Sequence, residues 1–283
     1  MTTIEELYNI YTQHPCITTD TRTIHGGEIF FALKGDNFDG NTFALKAIEQ
    51  GAAFAVVDNN ECYYQNPDKC ILVDDVLLAL QDLARYHRKM TKHIPVVAIT
   101  GTNGKTTTKE LTTAVLSKKY NTHSTKGNYN NHIGVPLTLL SMPQNTDIAI
   151  IEMGANHPKE IEFLCSIAQP NYGLITNIGK AHLEGFGSFE NVIKTKTELY
   201  NYLRNNDGTA FINSDDNILV ENSLNLKHIE YSSHCINTTI RPSYKDSSPY
   251  LEFYFEADDK VYTINTHLLG AYNYTNALAA ICV

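Results

Sequence analysis

Val96 to Ile99 are four apolar residues in succession, and the polar, glycine-bearing run Thr100-Gly101-Thr102-Asn103-Gly104-Lys105-Thr106-Thr107-Thr108 follows directly. Such an apolar run suits a parallel strand covered on both faces, and the turn after it suits the start of a helix. From Pro95 onward the two patterns alternate. Strands are predicted at 96–100, 147–152, 173–177 and 209–213, and helices at 105–118, 158–168 and 189–203. Before Pro95 the spacing predicts helices at 4–11, 43–50 and 76–90, the second ended by Gly51, and short strands at 28–33, 53–57 and 71–73. Residues 236–267 alternate with period two, as in Tyr250-Leu251-Glu252-Phe253-Tyr254-Phe255, which predicts an antiparallel appendage.

These elements predict an α/β protein: a small N-terminal α/β domain over 1–90, then a P-loop-type central domain over 91–283 with a mostly parallel sheet and helices on both faces. A length of 283 residues suits two cores. The net charge of -9 without a Lys/Arg run argues against a nucleic-acid partner. No apolar run has the length of a membrane span and the N-terminus has no signal-like apolar segment, so no membrane insertion is expected and the location is expected to be cytoplasmic. The six cysteines (16, 62, 70, 165, 235, 282) form no C-x-x-C pair and read as reduced thiols. Residues 273–283 read as a helix without a cap or a basic last turn. That ending predicts a piece of a longer chain with a further C-terminal domain.

Gly101 and Gly104 allow a backbone that curls around an anion, with N–H groups and the positive end of the next helix directed at phosphate oxygens. Lys105 supplies a charge for the outer phosphates, and the Thr106 hydroxyl can hold Mg²⁺. The general phosphate loop, G-x-x-x-x-G-K-[ST], does not fit, because Ile99 stands at its first glycine. The loop is therefore a shorter variant, and the structural alternative is a plain glycine turn. Ligands in such sheets lie beyond the carboxyl ends of the strands. The 101–107 loop, Glu152 and the segment from Asn177 to His182 are thus expected to converge. Glu152, ending a buried strand, is a hard oxygen ligand for Mg²⁺ or a helix cap. A lone histidine such as His182 is ordinarily structural, and Lys180, Lys194 and Lys196 read as solvated charges. Asn128, Asn130 and Asn131 carry amides that both donate and accept, suited to an oxygen-rich substrate or to a simple turn. The loops Thr19-Asp20-Thr21-Arg22 and 34–40, with Gly35, Asp39 and Gly40, read on their own as turn chemistry.

Taken together these segments resemble the Mur ligase family, ATP-dependent amide-bond-forming enzymes of peptidoglycan precursor synthesis. Gly101-Thr102-Asn103-Gly104-Lys105-Thr106-Thr107 is similar to its short phosphate loop. Gly127-Asn128 with Asn130-Asn131, Gly134 and Pro136 is similar to its second motif. Gly270-Ala271-Tyr272-Asn273-x-x-Asn276-x-x-Ala279-Ala280 resembles its base-contacting G-x-H-N-x-x-N-x-x-A-A, with Tyr272 in place of the usual His. Glu152-Met153-Gly154-Ala155-Asn156 and the 181–188 segment resemble the member that adds D-alanyl-D-alanine. Asp20-Thr21-Arg22 and Gly35-x-x-x-Asp39-Gly40 resemble a uridine-nucleotide-binding domain.

The resemblance implies ATP and Mg²⁺ as cofactors, and UDP-N-acetylmuramoyl-tripeptide and D-Ala-D-Ala as substrates of a monomer. ATP would phosphorylate the peptide carboxylate, and the dipeptide amine would attack the acyl phosphate. It implies Lys105 on the transferring phosphoryl group, Thr106, Glu152 and His182 on metal, and Asn273 and Asn276 on the nucleotide. Thr21, Arg22, Gly35, Asp39, Gly40, Asn128, Asn130 and Asn131 would contact substrate. Lys196 fits the family's carbamylated lysine, with Tyr200 four residues on. A bare ammonium near the metal would repel it by about 4 kcal/mol per unit charge at 4 Å and an effective dielectric of 20, whereas a carbamate offers oxygens. The resemblance also implies a third domain, without which the 283 residues would bind uridine nucleotide and ligate poorly. Two other readings stay open: another ligase on the same ATP core, adding a diamino acid or glutamate, and a non-catalytic nucleotide-binding module.

Overall fold

The alternation of apolar runs and amphipathic stretches becomes two parallel sheets in the computed structural model, which describes residues 2–180, 183–234, 241–245, 250–257, 260–270 and 272–283. The protein is α/β and divides into two units, 1–92 with 132–143, and 93–131 with 144–283.

In the first unit four short strands run parallel in the order Ile17–Thr18, Ile29–Phe31, Phe54–Val57, Cys70–Leu72. Phe30, Ala32, Ala55 and Val57 pack with Ala44 and Ala47 of the helix Ala44–Glu49 and with Cys62 of the helix Asn60–Gln65. The helices Ile4–Gln13 and Gly134–Leu140 both pack on Val76–Met90. The Tyr11 hydroxyl donates to the Leu140 carbonyl at 2.7 Å, and Gln81 Nε2 donates to the His132 carbonyl at 3.1 Å. These bonds explain why 132–143, far along the chain, clusters with the N-terminal residues.

The second unit holds a six-stranded parallel sheet in the order His228–Tyr231, Thr209–Asn213, Tyr172–Ile175, Val96–Thr100, Ile148–Glu152, Thr122–Ser124. Every residue of Val96–Thr100 is buried, as the unbroken apolar run requires. The strands Arg241–Lys245, Tyr250–Ala257 and Lys260–Leu269 form an antiparallel sheet. This appendage also feeds the core. Leu251 and Phe253 join Val97, Ile99, Tyr274 and Leu278 in one cluster, each large side chain contributing about 1.5–3 kcal/mol by burial. The rest of the predicted 236–267 pattern lies outside the described residues.

Boundaries differ from the sequence pattern where local chemistry intervenes. The predicted helix 158–168 begins at Glu160, because Lys159 adopts φ 73° and cannot continue a helix. The predicted strand 28–33 contracts to Ile29–Phe31. The strands Thr122–Ser124 and His228–Tyr231 and the helices Asn60–Gln65, Gly134–Leu140 and Asn217–Asn222 are additional. Among the described residues no helix is long and apolar enough to cross a membrane.

Candidate functional site

The turn after Val96–Thr100 is held in place by the neighbouring strand end. Thr102 N donates to the Asn177 carbonyl at 2.9 Å, and Asn103 N donates to Asn177 Oδ1 at 3.1 Å. In return Asn177 Nδ2 and the Thr176 hydroxyl donate to the Asn103 carbonyl at 2.9 and 2.6 Å. Gly101 has φ 140°, and a Cβ there would collide with the Thr176 side chain. Gly104 precedes the helix Lys105–Leu116 at φ 78°, where only glycine sits without strain. Lys105 Nζ donates to the carbonyls of Gly101 and Thr102 at 2.8 and 2.9 Å, so the ammonium lies over the loop. Burial draws its pKa below the ordinary lysine value, and the Glu152 carboxylate pulls it back up. Thr106 is exposed on the first turn and Thr107 half-buried.

Glu152 pairs with Ile99 in the sheet register, immediately before the loop. Its side chain is buried. Oε1 accepts from Asn130 Nδ2 at 2.8 Å, while Oε2 has no hydrogen-bond partner among the described residues. A buried carboxylate oxygen left uncommitted beside a phosphate-type loop is the chemistry a hard divalent cation requires, so the residues fit Mg²⁺. Among the described residues there is no group of three His, Cys, Asp or Glu that could hold a metal by itself. Glu152 would therefore need the Thr106 hydroxyl and oxygens from other sources. His182 lies outside the described residues.

Lys196 is buried, whereas Lys194 is exposed, which corrects the expectation of a solvated pair. Val192, Lys196, Leu199, Tyr200 and Leu203 are all buried residues of the helix Phe189–Asn205, so Lys196 lies within its apolar stripe. The Nζ stands 5.9 Å from the centre of the Phe186 ring and makes no ion pair among the described residues. Burial, and then the Lys105 ammonium, push its pKa down to about 8, against the opposing pull of Glu160 and Glu198. Glu198 accepts from the backbone N–H groups of Lys159 and Glu162 at 2.8 and 2.9 Å, fixing the start of the helix Glu160–Ala168.

Asn273 and Asn276 are buried and committed internally. Asn276 Nδ2 donates to Asn273 Oδ1 at 3.1 Å, and Asn276 Oδ1 accepts from the Thr108 hydroxyl at 3.2 Å. They tie the helix Tyr272–Cys282 to the loop helix, while Tyr272 is exposed. Asn128 and Asn131 are exposed, and only Asn130 of the three reaches Glu152.

In the first unit Thr21, Arg22 and Gly40 line one pocket of about 500 Å³ with Thr19, Phe43 and Lys46. The geometry thus joins two loops that read separately as turns. Arg22 is held by Asp20, its Nε and Nη2 donating to the two carboxylate oxygens at 2.9 and 2.7 Å. Those bonds pull the Asp20 pKa down to about 2. Asp39 and Gly35 do not line the pocket. Asp39 Oδ1 instead accepts from Asn41 N and Nδ2 at 2.9 and 2.7 Å, and Gly35 pairs with Phe38 in a two-stranded turn.

Sequence reasoning missed Lys109 and Thr125, which tie the loop helix to the Glu152 strand. The available signal was spacing, since Lys109 falls one helical turn after Lys105.

The likeness to known proteins covers both units, with 132–143 inside the second match. Residues 15–88 match the description "Mur ligase family, catalytic domain", and residues 99–283 match "Mur ligase middle domain". The UDP-N-acetylmuramoyl-tripeptide--D-alanyl-D-alanine ligase of Bacillus subtilis is 38% identical over 266 residues, covering 94% of this chain and 57% of the relative. The Escherichia coli ligase of the same name is 44% identical over 201 residues, covering 71% of this chain and 43% of the relative. The crystal structure of MurF from Acinetobacter baumannii superposes with a TM-score of 0.82 at 30% identity, covering 94% of this chain and 58% of that one. MurF from Thermotoga maritima in complex with ADP gives 0.81 at 29% identity, covering 94% and 62%. The chain therefore spans little more than half the length of such relatives. The middle-domain match alone takes in more than half of its residues, and the loop, Glu152 and Lys196 all fall inside it, so the chain belongs to the Mur ligase family.

Proposed function

We propose that the protein is an ATP-dependent, ADP-forming ligase that joins D-alanyl-D-alanine to the terminal carboxylate of UDP-N-acetylmuramoyl-tripeptide, in the cytoplasm. The observation that carries the reading is the uncommitted, buried Glu152 Oε2 within electrostatic reach of Lys105 at the phosphate-type loop. The names of relatives similar along most of the chain favour the D-alanyl-D-alanine-adding reaction over other amide ligations.

Loop N–H groups between Gly101 and Thr107 cradle the ATP phosphates, and Lys105 exchanges its bonds to the loop carbonyls for phosphate oxygens. The peptide carboxylate attacks the γ-phosphorus, ADP departs, and an acyl phosphate forms. The dipeptide amine then attacks the carbonyl carbon, loses its proton, and expels phosphate. Charge neutralisation and alignment supply most of the acceleration. Glu152 and Thr106 would hold a first Mg²⁺, and His182, from outside the described residues, a second; when bound the ions offset negative charge on the phosphates. Asn130 keeps the Glu152 carboxylate in place, and Asn128 and Asn131 present amides to the substrate. Asn273 and Asn276 anchor the nucleotide side of the loop. The Thr21, Arg22 and Gly40 pocket takes the uridine nucleotide, and Asp39 fixes the turn that carries Gly40 by accepting from Asn41 N. Lys196 reacts as the neutral amine: its nitrogen lone pair attacks the carbon of CO₂ and a proton leaves, giving a carbamate that replaces positive charge by negative. Intact mass with peptide mapping tests this step. The expected result is one CO₂ on Lys196, and an unmodified Lys196 in bicarbonate would refute it.

The function is tested by ligation on the whole protein with D-Ala-D-Ala, a diamino acid or glutamate as acceptor amine. Product with D-Ala-D-Ala alone is expected. Turnover with either of the others instead assigns a different ligase, and turnover unaffected by Lys105→Met would end the phosphate-loop reading.

A further inference from the structure

Lys109 is a fully buried lysine on the helix Lys105–Leu116. Burying an ammonium is costly unless its protons are all directed at acceptors. Its Nζ donates to the Thr125 carbonyl at 2.6 Å and pairs with Glu110 Oε1 at 2.7 Å. Thr125 is itself buried and bonded on three sides. Its N–H donates to the Ile150 carbonyl at 3.0 Å, and its hydroxyl accepts from Glu152 N at 2.9 Å. The chain then runs from Thr125 to Asn130, whose Nδ2 holds Glu152 Oε1 and whose carbonyl accepts from Gly154 N at 2.7 Å. Thr125 is thus the knot between the phosphate-loop helix and the strand end that carries Glu152, and Lys109 is the only charged group the described bonds place on it.

We propose that Lys109 is a positioning residue that acts through Thr125 to set the Glu152 carboxylate against Thr106 and Lys105. Lys109 lies one turn beyond Lys105 on the same helix, about 6 Å along its axis, so the helix is a short rigid spacer between the two anchor points. The inference rests on the reading of Glu152 and Thr106 as the groups that hold the divalent cation.

The test measures two affinities on the 283-residue chain: ADP in EDTA by calorimetry, and Mn²⁺ at saturating ADP by electron paramagnetic resonance. Thermal midpoints are recorded alongside. Lys109→Met and Thr125→Val are each expected to weaken Mn²⁺ by about 10–100-fold, as loss of groups that orient a ligand does, with ADP in EDTA bound as before. Thr125→Ser, which keeps the hydroxyl, restores Mn²⁺ binding. The double variant Lys109→Met/Thr125→Val is no weaker than the worse single one, because the Lys109 bond to the Thr125 carbonyl and the Thr125 hydroxyl bond to Glu152 N are links of one series. Unchanged Mn²⁺ affinity in Lys109→Met, equal losses of ADP and Mn²⁺ affinity, or additive effects would each overturn the proposal. If Lys109→Met does not fold, the Thr125→Val and Thr125→Ser pair decides by the same readouts. Glu152→Gln separates the two levels: Mn²⁺ bound normally by that variant ends the metal reading and this inference with it, while a loss there beside a normal Lys109→Met ends this inference alone.

Discussion

Lys105 and Lys196 are two cations drawn into one unit, and their electrostatics are linked. The Lys105 ammonium is the second largest cause, after burial, of the lowered Lys196 pKa. Removing a neighbouring positive charge favours the protonated form of the amine that remains. Lys105→Met is therefore expected to move the Lys196 pKa above about 8, read as a shift to higher pH in the rate of amine labelling at Lys196 in CO₂-free buffer, where the amine is free. An unshifted profile would separate the two groups. The same substitution removes the charge facing the phosphates, and a loss of about 10²–10³ in ligation rate is expected. At this scale the chemistry-bearing residue types were legible, but burial was only half so. Lys196 reads as solvated when taken with Glu198 alone. Placed on the 3.6-residue period with Val192, Leu199, Tyr200 and Leu203, it falls among the apolar positions that are in fact buried. What the pattern lacked was the partner: Asn130 meets Glu152 across 22 residues, a contact no local rule predicts.

The phosphate-type turn depends on backbone geometry as much as on its lysine. Gly101 holds φ 140° and abuts Thr176, so Gly101→Ala meets both a strained dihedral and a collision. A destabilisation of about 1–3 kcal/mol is expected from strain of this kind, measured by urea unfolding, together with loss of ADP binding. Gly127 also has positive φ, 54°, but nothing lies within 4 Å of where an added Cβ would stand. Gly127→Asn should therefore be milder, because asparagine tolerates that conformation. Equal costs at both positions would argue that the Thr176 contact contributes nothing. The main strands and amphipathic helices were legible because each has a buried face with a clear period. The elements that escaped are short or lack one. Thr122–Ser124 has three residues. In Gly134–Leu140 six of seven residues are buried, so no polar face marks it as a helix.

The alternation of strands and helices was enough to give the α/β class. It could not assign 132–143 to the first unit, because that placement rests on Tyr11, Gln81 and the surface of Val76–Met90, all distant in sequence. The same helix carries a buried His87 whose response to acid bears on the stability of its whole unit. Its ring meets Tyr11 edge-on, and Nδ1 lies 3.4 Å from the Tyr8 hydroxyl. Nε2 is buried and has no hydrogen-bond partner among the described residues. Burial, and then the Arg88 charge beside it, push the pKa from 6.5 down to about 4. Between those values the unfolded chain binds a proton that the folded chain refuses, so stability rises with pH across the window. It is complete above about 6.5 and declines as pH falls toward about 4. At pH 5 the loss from this group amounts to about 2 kcal/mol relative to neutral pH. His87→Phe keeps an aromatic ring between the tyrosines and removes the titration. Urea midpoints at pH 7 and pH 5 should then draw closer in the variant than in the parent, even where its midpoint at pH 7 is lower from loss of the Tyr8 contact. An identical pH dependence in both proteins would mean that the acid sensitivity of this unit arises from its carboxylates, such as Glu28 and Asp58, whose folded pKa values are lowered by backbone and side-chain hydrogen bonds against the cost of burial.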